Sequence, residues 1–269
     1  TVDTSKFGAF NQACQMEDIV EVNGRPAKGI HFTCSYRMNF SPNPQPGMSI
    51  ADAAFSNVWP NCNWELHSKD GRFVGRLTDG GFYPHSIFGG AGAYLGARGE
   101  HFSTGIAGRV TSRVASVAED PSMRRTHPGT GSFRVQYHVV PLYYPEVETT
   151  AQGPSVFHAD FSPVTPAKPA RAGETLILRA KNLGPTTPYT FAGQAFPKWT
   201  GDPLPEVNSD VEVTVGGKQA EVISKWGWPG EVGVYRVDFR MPAGATPGTA
   251  ALQLTAAWIP SEEVRIPVQ

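Results

Sequence analysis

The sequence contains a segment dense in glycine, Gly89-Gly90-Ala91-Gly92-Ala93-Tyr94-Leu95-Gly96-Ala97-Arg98-Gly99-Glu100. Five of its twelve residues are glycine. It is not a phosphate-binding loop, because neither a Gly-Lys-Ser/Thr motif nor a run of helix formers follows it. Glycine at this density is typical of a sharply bent strand, since the absent Cβ lets two backbones approach closely. The stretch therefore predicts a corner within a β-sheet.

The composition indicates an all-β protein. The 269 residues include 29 glycines and 24 prolines, which separate short apolar runs, and no long amphipathic helical pattern is present. The formal net charge of -1 gives no reason to expect a nucleic-acid partner. No apolar run is long enough to predict a membrane span. Thr1 is compatible with removal of a signal peptide, and equally with a trimmed fragment. We expect a secreted or cell-surface protein.

The glycine-rich stretch also resembles a segment of known β-barrels. It is similar to the GGTG-x-(Y/F)-x-GARG segment of the allene oxide cyclase and dirigent barrels, and the match includes Arg98. The resemblance implies an antiparallel barrel in the N-terminal half. It further implies an acidic residue on the first strand, inside the lumen, with the arginine near that lumen. Small barrels of this kind enclose a cavity for one small ligand.

Two alternating segments near the N terminus predict a β-hairpin. Residues 13–22 and 29–40 both follow the two-residue period of a strand, and Asn23-Gly24 between them is typical of a tight turn. On the second segment one face is apolar and the other carries His31. The apolar face, which we expect to line the barrel, consists of Ile30, Phe32, Cys34, Tyr36, Met38 and Phe40.

The rest of the chain divides into three regions. Short strands without intervening helices predict a closed antiparallel β-barrel over residues 1–148. Over residues 149–170 proline recurs and the hydrophobic periodicity stops, which predicts a linker. A second series of short strands predicts a β-sandwich over residues 171–269.

This last region resembles the immunoglobulin-like C-terminal domain of many secreted bacterial proteins. The resemblance is carried by Ala172-Gly-Glu174 with Asn182-Leu-Gly-Pro185, and by Gly233-Val-Tyr-Arg-Val-Asp-Phe-Arg-Met-Pro242-Ala-Gly244. It implies export and a binding or spacing role without chemistry of its own. The expected architecture is therefore an antiparallel β-barrel followed by an immunoglobulin-like β-sandwich.

Asp18 and Arg98 are the candidate catalytic residues. Pairing the apolar faces of the hairpin places Asp18 near Cys34, in an apolar surface that would raise the pKa of its carboxyl group and suit it to proton transfer. The alternatives are a structural carboxylate, or a strand phase that turns Glu17 inward instead. Arg98 is suited to polarise a carbonyl or hold a phenolate, or else to form a structural salt bridge with Glu100.

The candidate ligand-binding residues are aromatic or apolar: Phe32, Tyr36, Met38 and Tyr83. His67, His85, His101 and His138 occur at strand ends and in loops, where a surface or packed imidazole is the usual role. No zinc signature, P-loop, dinucleotide fingerprint or hydrolase elbow is present, so no metal site and no cofactor is predicted.

The three cysteines predict one disulfide and one remaining thiol. We prefer a Cys14–Cys62 bridge, because Cys34 belongs to a continuous apolar face where an inert thiol fits well. Pairing of Cys34 with Cys14 or with Cys62 is the alternative.

Two functions remain open. The first is a barrel that binds a small apolar or phenolic molecule and steers its cyclisation or isomerisation without a cofactor. The second is a non-catalytic extracellular structural, adhesion or filament subunit built from both regions. A homo-oligomer is an open alternative to a single chain. Whether the protein is an enzyme is not decided by the sequence.

Overall fold

The computed structural model describes residues 12–36, 39–40, 54–55, 59–81, 84–104, 134–198 and 203–269. All regular structure in these residues is β, in agreement with the all-β prediction, and they contain no helix. A helix of the length and hydrophobicity needed to cross a membrane is accordingly absent from this part of the chain.

The N-terminal half forms an antiparallel sheet of seven strands in the order β1-β2-β5-β6-β7-β8-β9, and the short strands β3 and β4 pair separately. The strands are β1 (Gln12–Val22), β2 (Arg25–Tyr36), β3 (Asn39–Phe40), β4 (Ala54–Phe55), β5 (Trp59–His67), β6 (Phe73–Gly81), β7 (His85–Gly92), β8 (Arg98–Thr104) and β9 (Arg134–Val140).

The predicted β1–β2 hairpin is confirmed, with Asn23 and Gly24 as its two turn residues. Their φ angles are 51° and 77°, the left-handed values of the tight turn that matches strand twist. The predicted register is wrong, since Asp18 lies opposite Ile30 rather than near Cys34. The short turn fixes the strand ends, so the pairing runs closer to the turn than the pairing of apolar faces suggested.

The glycine-rich stretch forms the predicted corner. A Cβ on Gly90 would lie 2.1 Å from the carbonyl oxygen of Tyr94, so the turn that follows β7 folds directly back onto the strand. Gly92 has a φ of 62° and starts this turn. The turn buries Tyr94 to 5% exposure against the concave side of the sheet.

The sheet is curled, because its two edges pack against one common core. Ile19 and Val22 of β1 contact the same buried cluster as Val135 and Val139 of β9. The buried members of that cluster are Trp64, Leu66, Val74, Leu77, Ile87, Tyr94, Ala97 and Ala257. Among the described strands β1 and β9 do not pair, so these strands form a half-barrel. Closure of the barrel stays a prediction, since residues 105–133 lie outside the described ranges.

The C-terminal half forms a network of eleven strands, and β11 and β12 form a separate pair. The strands are β10 (Glu146–Val147), β11 (Thr149–Thr150), β12 (Gly153–Pro154), β13 (Val156–His158), β14 (Thr175–Lys181), β15 (Thr186–Thr187), β16 (Glu206–Val207), β17 (Val211–Val215), β18 (Lys218–Gly227), β19 (Val234–Arg240), β20 (Gly248–Ala256), β21 (Ile259–Pro260) and β22 (Val264–Val268).

Strand β18 joins the two parts of this network. Its residues 218–220 pair with β17, and its residues from Glu221 onward pair with β19, with a register shift between Val222 and Ser224. The apolar core lies between the two parts and draws on strands from both, including Leu178, Phe239 and Leu254, each fully buried.

Residues 149–170 are part of this fold rather than a separate linker. Strand β13 pairs with β14, and Ala170 makes a bridge to Val268 and is fully buried. The recurring prolines predicted a linker, but they lie in short strands and turns of the fold, where a missing backbone N–H is tolerated. The predicted boundary near residue 148 stays a prediction.

Polar contacts join the two halves. The Tyr94 hydroxyl donates to the carbonyl oxygen of Ala257 over 3.0 Å. The Asn208 side chain donates to the carbonyl oxygen of Phe73 over 2.8 Å. Ala257 and its neighbour Trp258 form the β20–β21 turn with φ angles of 49° and 62°, and this turn packs against the core of the N-terminal sheet.

Candidate functional site

The two predicted catalytic residues are not brought together inside the half-barrel. Asp18 is exposed, so the expected desolvation of its carboxyl group is wrong. Arg98 is also exposed, and its Nη1 donates to the carbonyl oxygen of Ala97 over 2.9 Å. Neither residue belongs to the buried cluster of the N-terminal sheet. Their catalytic role stays a prediction that this geometry does not favour.

The predicted ligand-binding residues are only partly described. Phe32 is 37% exposed and lies on the face opposite to the buried His31, so the expected lumenal face of β2 is inverted. For Tyr36 the structure gives only the backbone position at the end of β2. Met38 and Tyr83 lie outside the described residues.

The concave face instead carries a row of polar and aromatic side chains. His85, His101 and Tyr137 are consecutive cross-strand partners on β7, β8 and β9. Asp79 comes from β6, and Trp64 from β5. We call Trp64, Asp79, His85, His101 and Tyr137 the interior polar cluster.

Asp79 is at the centre of this cluster and is fully buried. The indole nitrogen of Trp64 donates to its Oδ2 over 2.8 Å. The Nδ1 atom of His101 lies 2.7 Å from the same oxygen, but without the alignment of a hydrogen bond. The other oxygen, Oδ1, is buried and receives no hydrogen bond from any described residue. A buried carboxylate with one unused acceptor is costly unless a donor satisfies it.

The two histidines are stacked next to this carboxylate. Their ring centroids are 4.7 Å apart with an interplanar angle of 17°. Burial lowers the pKa of His85, protonation of the neighbouring His101 would lower it further, and the Asp79 charge offsets part of this effect. His85 is therefore a neutral imidazole at neutral pH.

Tyr137 faces His101 from the neighbouring strand, with ring centroids 5.1 Å apart. Burial raises the pKa of the Tyr137 hydroxyl well above its ordinary value, and the nearby Asp79 charge adds to this effect. The hydroxyl is therefore protonated at neutral pH. It is buried without a hydrogen-bond partner among the described residues.

Aromatic rings form the remaining wall. Trp64 stacks on His31 with a centroid distance of 3.6 Å and an interplanar angle of 12°. It meets Tyr137 edge to face, at 5.1 Å between ring centroids. Parallel and edge-to-face contacts of this kind are also those that a planar aromatic ligand makes.

The side chains of this cluster are of the types that transfer protons in enzymes. An imidazole beside a carboxylate accepts a proton readily, because the carboxylate stabilises the resulting imidazolium. A neutral tyrosine nearby is a proton donor. Within the described ranges, no group of three or more His, Cys, Asp or Glu side chains is placed to hold a metal ion.

Sequence reasoning missed this site although one signal was available. The alternation Val135-x-Tyr137-x-Val139 is a clear strand pattern, and it places Tyr137 on the apolar face. Asp79 was missed because it stands directly before Gly80 and Gly81, where the sequence pattern of a strand fades, whereas β6 continues to Gly81. His85 and His101 were assigned surface or packing roles, and the structure buries both beside Asp79.

Cys62 contradicts the preferred disulfide. It is a buried thiol rather than half of a disulfide, so bridges from Cys62 to Cys14 or to Cys34 are both excluded. Its backbone lies opposite Asp79, next to the interior polar cluster.

Comparison with known proteins adds no assignment. No protein-family model matches the chain, and no curated protein is significantly similar to it.

Proposed function

We propose that the concave face of the N-terminal sheet binds a small apolar or phenolic molecule, and that the interior polar cluster transfers protons on it. The observation that carries this proposal is the fully buried Asp79, whose Oδ1 receives no hydrogen bond from the described residues while its Oδ2 is held by Trp64. A ligand hydroxyl can donate a hydrogen bond to this oxygen. Such a bond is strong, because its acceptor is a carboxylate in a site from which water is excluded.

The proton-transfer step gives one role to each of two neighbours of Asp79. His101 takes a proton from the bound ligand, and the charge of Asp79 stabilises the imidazolium that forms. Tyr137 returns a proton at a second ligand atom. One proton leaves and one arrives, so the ligand composition is unchanged, as an isomerisation or cyclisation requires. Transfer of the proton from the His101 imidazolium to the Tyr137 oxygen then returns both residues to their starting states. This chemistry needs no cofactor.

The test compares two probes and two forms of the protein. 2-Naphthol carries a hydroxyl donor, and 2-methoxynaphthalene has nearly the same shape without the donor. Binding of each is measured by fluorescence titration for the wild type and for Asp79→Asn. A hydrogen bond to a charged group contributes about 1.5 to 3 kcal/mol, so Asp79→Asn should weaken 2-naphthol binding about ten- to a hundred-fold. Binding of 2-methoxynaphthalene should change by less than about three-fold.

A second variant separates the two candidate carboxylates. Asp18→Asn changes an exposed aspartate of β1 and should leave 2-naphthol binding unchanged, because Asp18 lies outside the buried cluster. Loss of binding in Asp18→Asn, with none in Asp79→Asn, would return the role to the residue predicted from the sequence. If neither probe binds the wild type, the proposal fails and the structural-subunit alternative takes its place.

The C-terminal half is assigned a supporting role. We propose that it is an immunoglobulin-like sandwich of an exported protein, in which it supports the N-terminal sheet rather than contributing chemistry. The paired core between its two sets of strands and the Tyr94–Ala257 contact support this role. Deleting the region should therefore lower the stability of the N-terminal sheet.

A further inference from the structure

Two of the three cysteines are direct partners across neighbouring strands. Cys14 of β1 lies opposite Cys34 of β2 in an antiparallel ladder that is regular from Gln12 to Ile19. Opposed residues in such ladders have Cα atoms about 4.5 to 5.5 Å apart. Disulfides join Cα atoms about 4.4 to 6.8 Å apart. The backbone register therefore satisfies the first geometric requirement for a bridge.

The third cysteine is separated from this pair by the alternation of the sheet. Cys62 of β5 lies opposite Thr33, whereas the partner of Cys34 on that strand is Asn61. Successive residues of a strand belong to opposite faces, so position 62 and position 34 lie on different faces of the sheet. Cys62 is on the buried side, at 4% exposure.

We propose that Cys14 and Cys34 form a cross-strand disulfide, and that Cys62 stays a thiol. The oxidant is a low-molecular-weight disulfide such as oxidised glutathione. Its S–S bond breaks and it leaves as two thiols, while the Cys14 and Cys34 thiols lose two hydrogen atoms and gain an S–S bond between them. This proposal is independent of the ligand-binding proposal.

The bridge would hold strand β1, which forms one edge of the half-barrel. Strand β1 is an edge of the seven-stranded sheet and is paired only with β2 among the described strands. It nevertheless contributes Ile19 and Val22 to the buried cluster. A bridge to β2 would hold this edge in register and keep the interior covered when the hydrogen bonds of the edge open.

Trypsin separates the three cysteines, which makes the pairing directly measurable. Cleavage after Lys6, Lys28, Arg37 and Lys69 gives peptides 7–28, 29–37 and 38–69, with one cysteine in each, and Pro26 protects the bond after Arg25. The full chain is incubated with oxidised glutathione, treated with N-ethylmaleimide in denaturant, digested and analysed by mass spectrometry without reduction.

The expected result is a linked pair of peptides 7–28 and 29–37, lighter by two hydrogen atoms than the separate peptides, with peptide 38–69 carrying the maleimide. A non-reducing gel should show the monomer, which assigns the link to one chain. Cys62→Ser should keep the linked pair, and Cys34→Ser should abolish it. A link that includes peptide 38–69, a link between two chains, or maleimide on all three cysteines after oxidation would overturn the proposal.

Discussion

The corner at Gly90 gives the sharpest test of the fold, because Gly89 beside it is a matched control. A Cβ at position 90 would lie 2.1 Å from the Tyr94 carbonyl oxygen and 2.9 Å from that of Arg76, whereas ordinary contact begins at 3.4 Å. The first contact therefore requires a backbone shift of about 1.3 Å (3.4 minus 2.1). At Gly89 no atom lies within 4 Å of the added Cβ, and the φ angle is ordinary.

The shift at position 90 breaks a defined hydrogen bond. The Tyr94 carbonyl oxygen accepts from the N–H of Ala97 over 3.0 Å, and moving it opens the turn. Overpacking costs about 1 to 3 kcal/mol, and the hydrogen bond adds about 1 kcal/mol, so Gly90→Ala should lose about 2 to 4 kcal/mol. At about 2 to 4 °C per kcal/mol for a chain of this size, the melting temperature should fall by about 4 to 16 °C.

Thermal unfolding followed by tryptophan fluorescence measures this difference. Gly89→Ala should melt within about 2 °C of the wild type, because a substitution in open space changes stability by less than about 0.5 kcal/mol. Equal melting temperatures for the two variants would refute the close approach of the turn to β7. A large loss in Gly89→Ala alone would place the corner one residue earlier.

Three further predictions concern the contact between the halves and the buried histidine. Tyr94→Phe removes the hydroxyl that donates to the Ala257 carbonyl oxygen and should cost about 1 to 3 kcal/mol in chemical denaturation, because that oxygen is left unsatisfied. Arg72→Ala breaks an ion pair with Glu206 whose side chains are 34% and 37% exposed, so less than about 1 kcal/mol should be lost; a larger loss would contradict the solvent screening of this pair. The folded-state pKa of His85 is lowered. Below about pH 6.5 the unfolded state therefore binds the proton more readily than the folded state, and the free energy of unfolding decreases as the pH falls. In denaturation curves between pH 7 and 5, His85→Gln should show a shallower fall than the wild type, and an identical slope would mean that His85 is not the group responsible.

The sequence predicts the local structure of the hairpin and the corner because both depend on glycine geometry. Asn23-Gly24 adopts the tight turn, and the stretch around Gly90 bends back on itself, in each case for a backbone reason that single residues reveal. Strand β2 shows where such reasoning ends. Its apolar residues Ile30 and Phe32 are more than one-third exposed, and His31 is buried. Alternation predicts two faces, but only the neighbouring strands decide which face is covered.

The candidate site was harder to predict for a related reason. Asp79, His101 and Tyr137 come from three strands, and their meeting depends on the register between strands. Each residue alone has the local sequence context of an ordinary strand position. The buried Asp79 carboxylate accepts a hydrogen bond from Trp64, a partner fifteen positions away in sequence.

The strand order also has a consequence for biosynthesis. Within the N-terminal sheet, β6, β7, β8 and β9 each pair with the described strand that precedes them in the chain. Such local pairings form quickly and suit vectorial folding on the ribosome. In the C-terminal half, β14 can pair with β19 only after β19 has been synthesised, and the same holds for the bridge between Ala170 and Val268. The Ala257–Trp258 turn, which packs against the N-terminal sheet, also belongs to this late group. The strands of the N-terminal sheet are thus synthesised early, but the core of the sheet is complete only after translation has passed residue 258. Until then the apolar side chains on its concave side lack the cover of this turn, and exposed apolar surface of this kind is what chaperones bind.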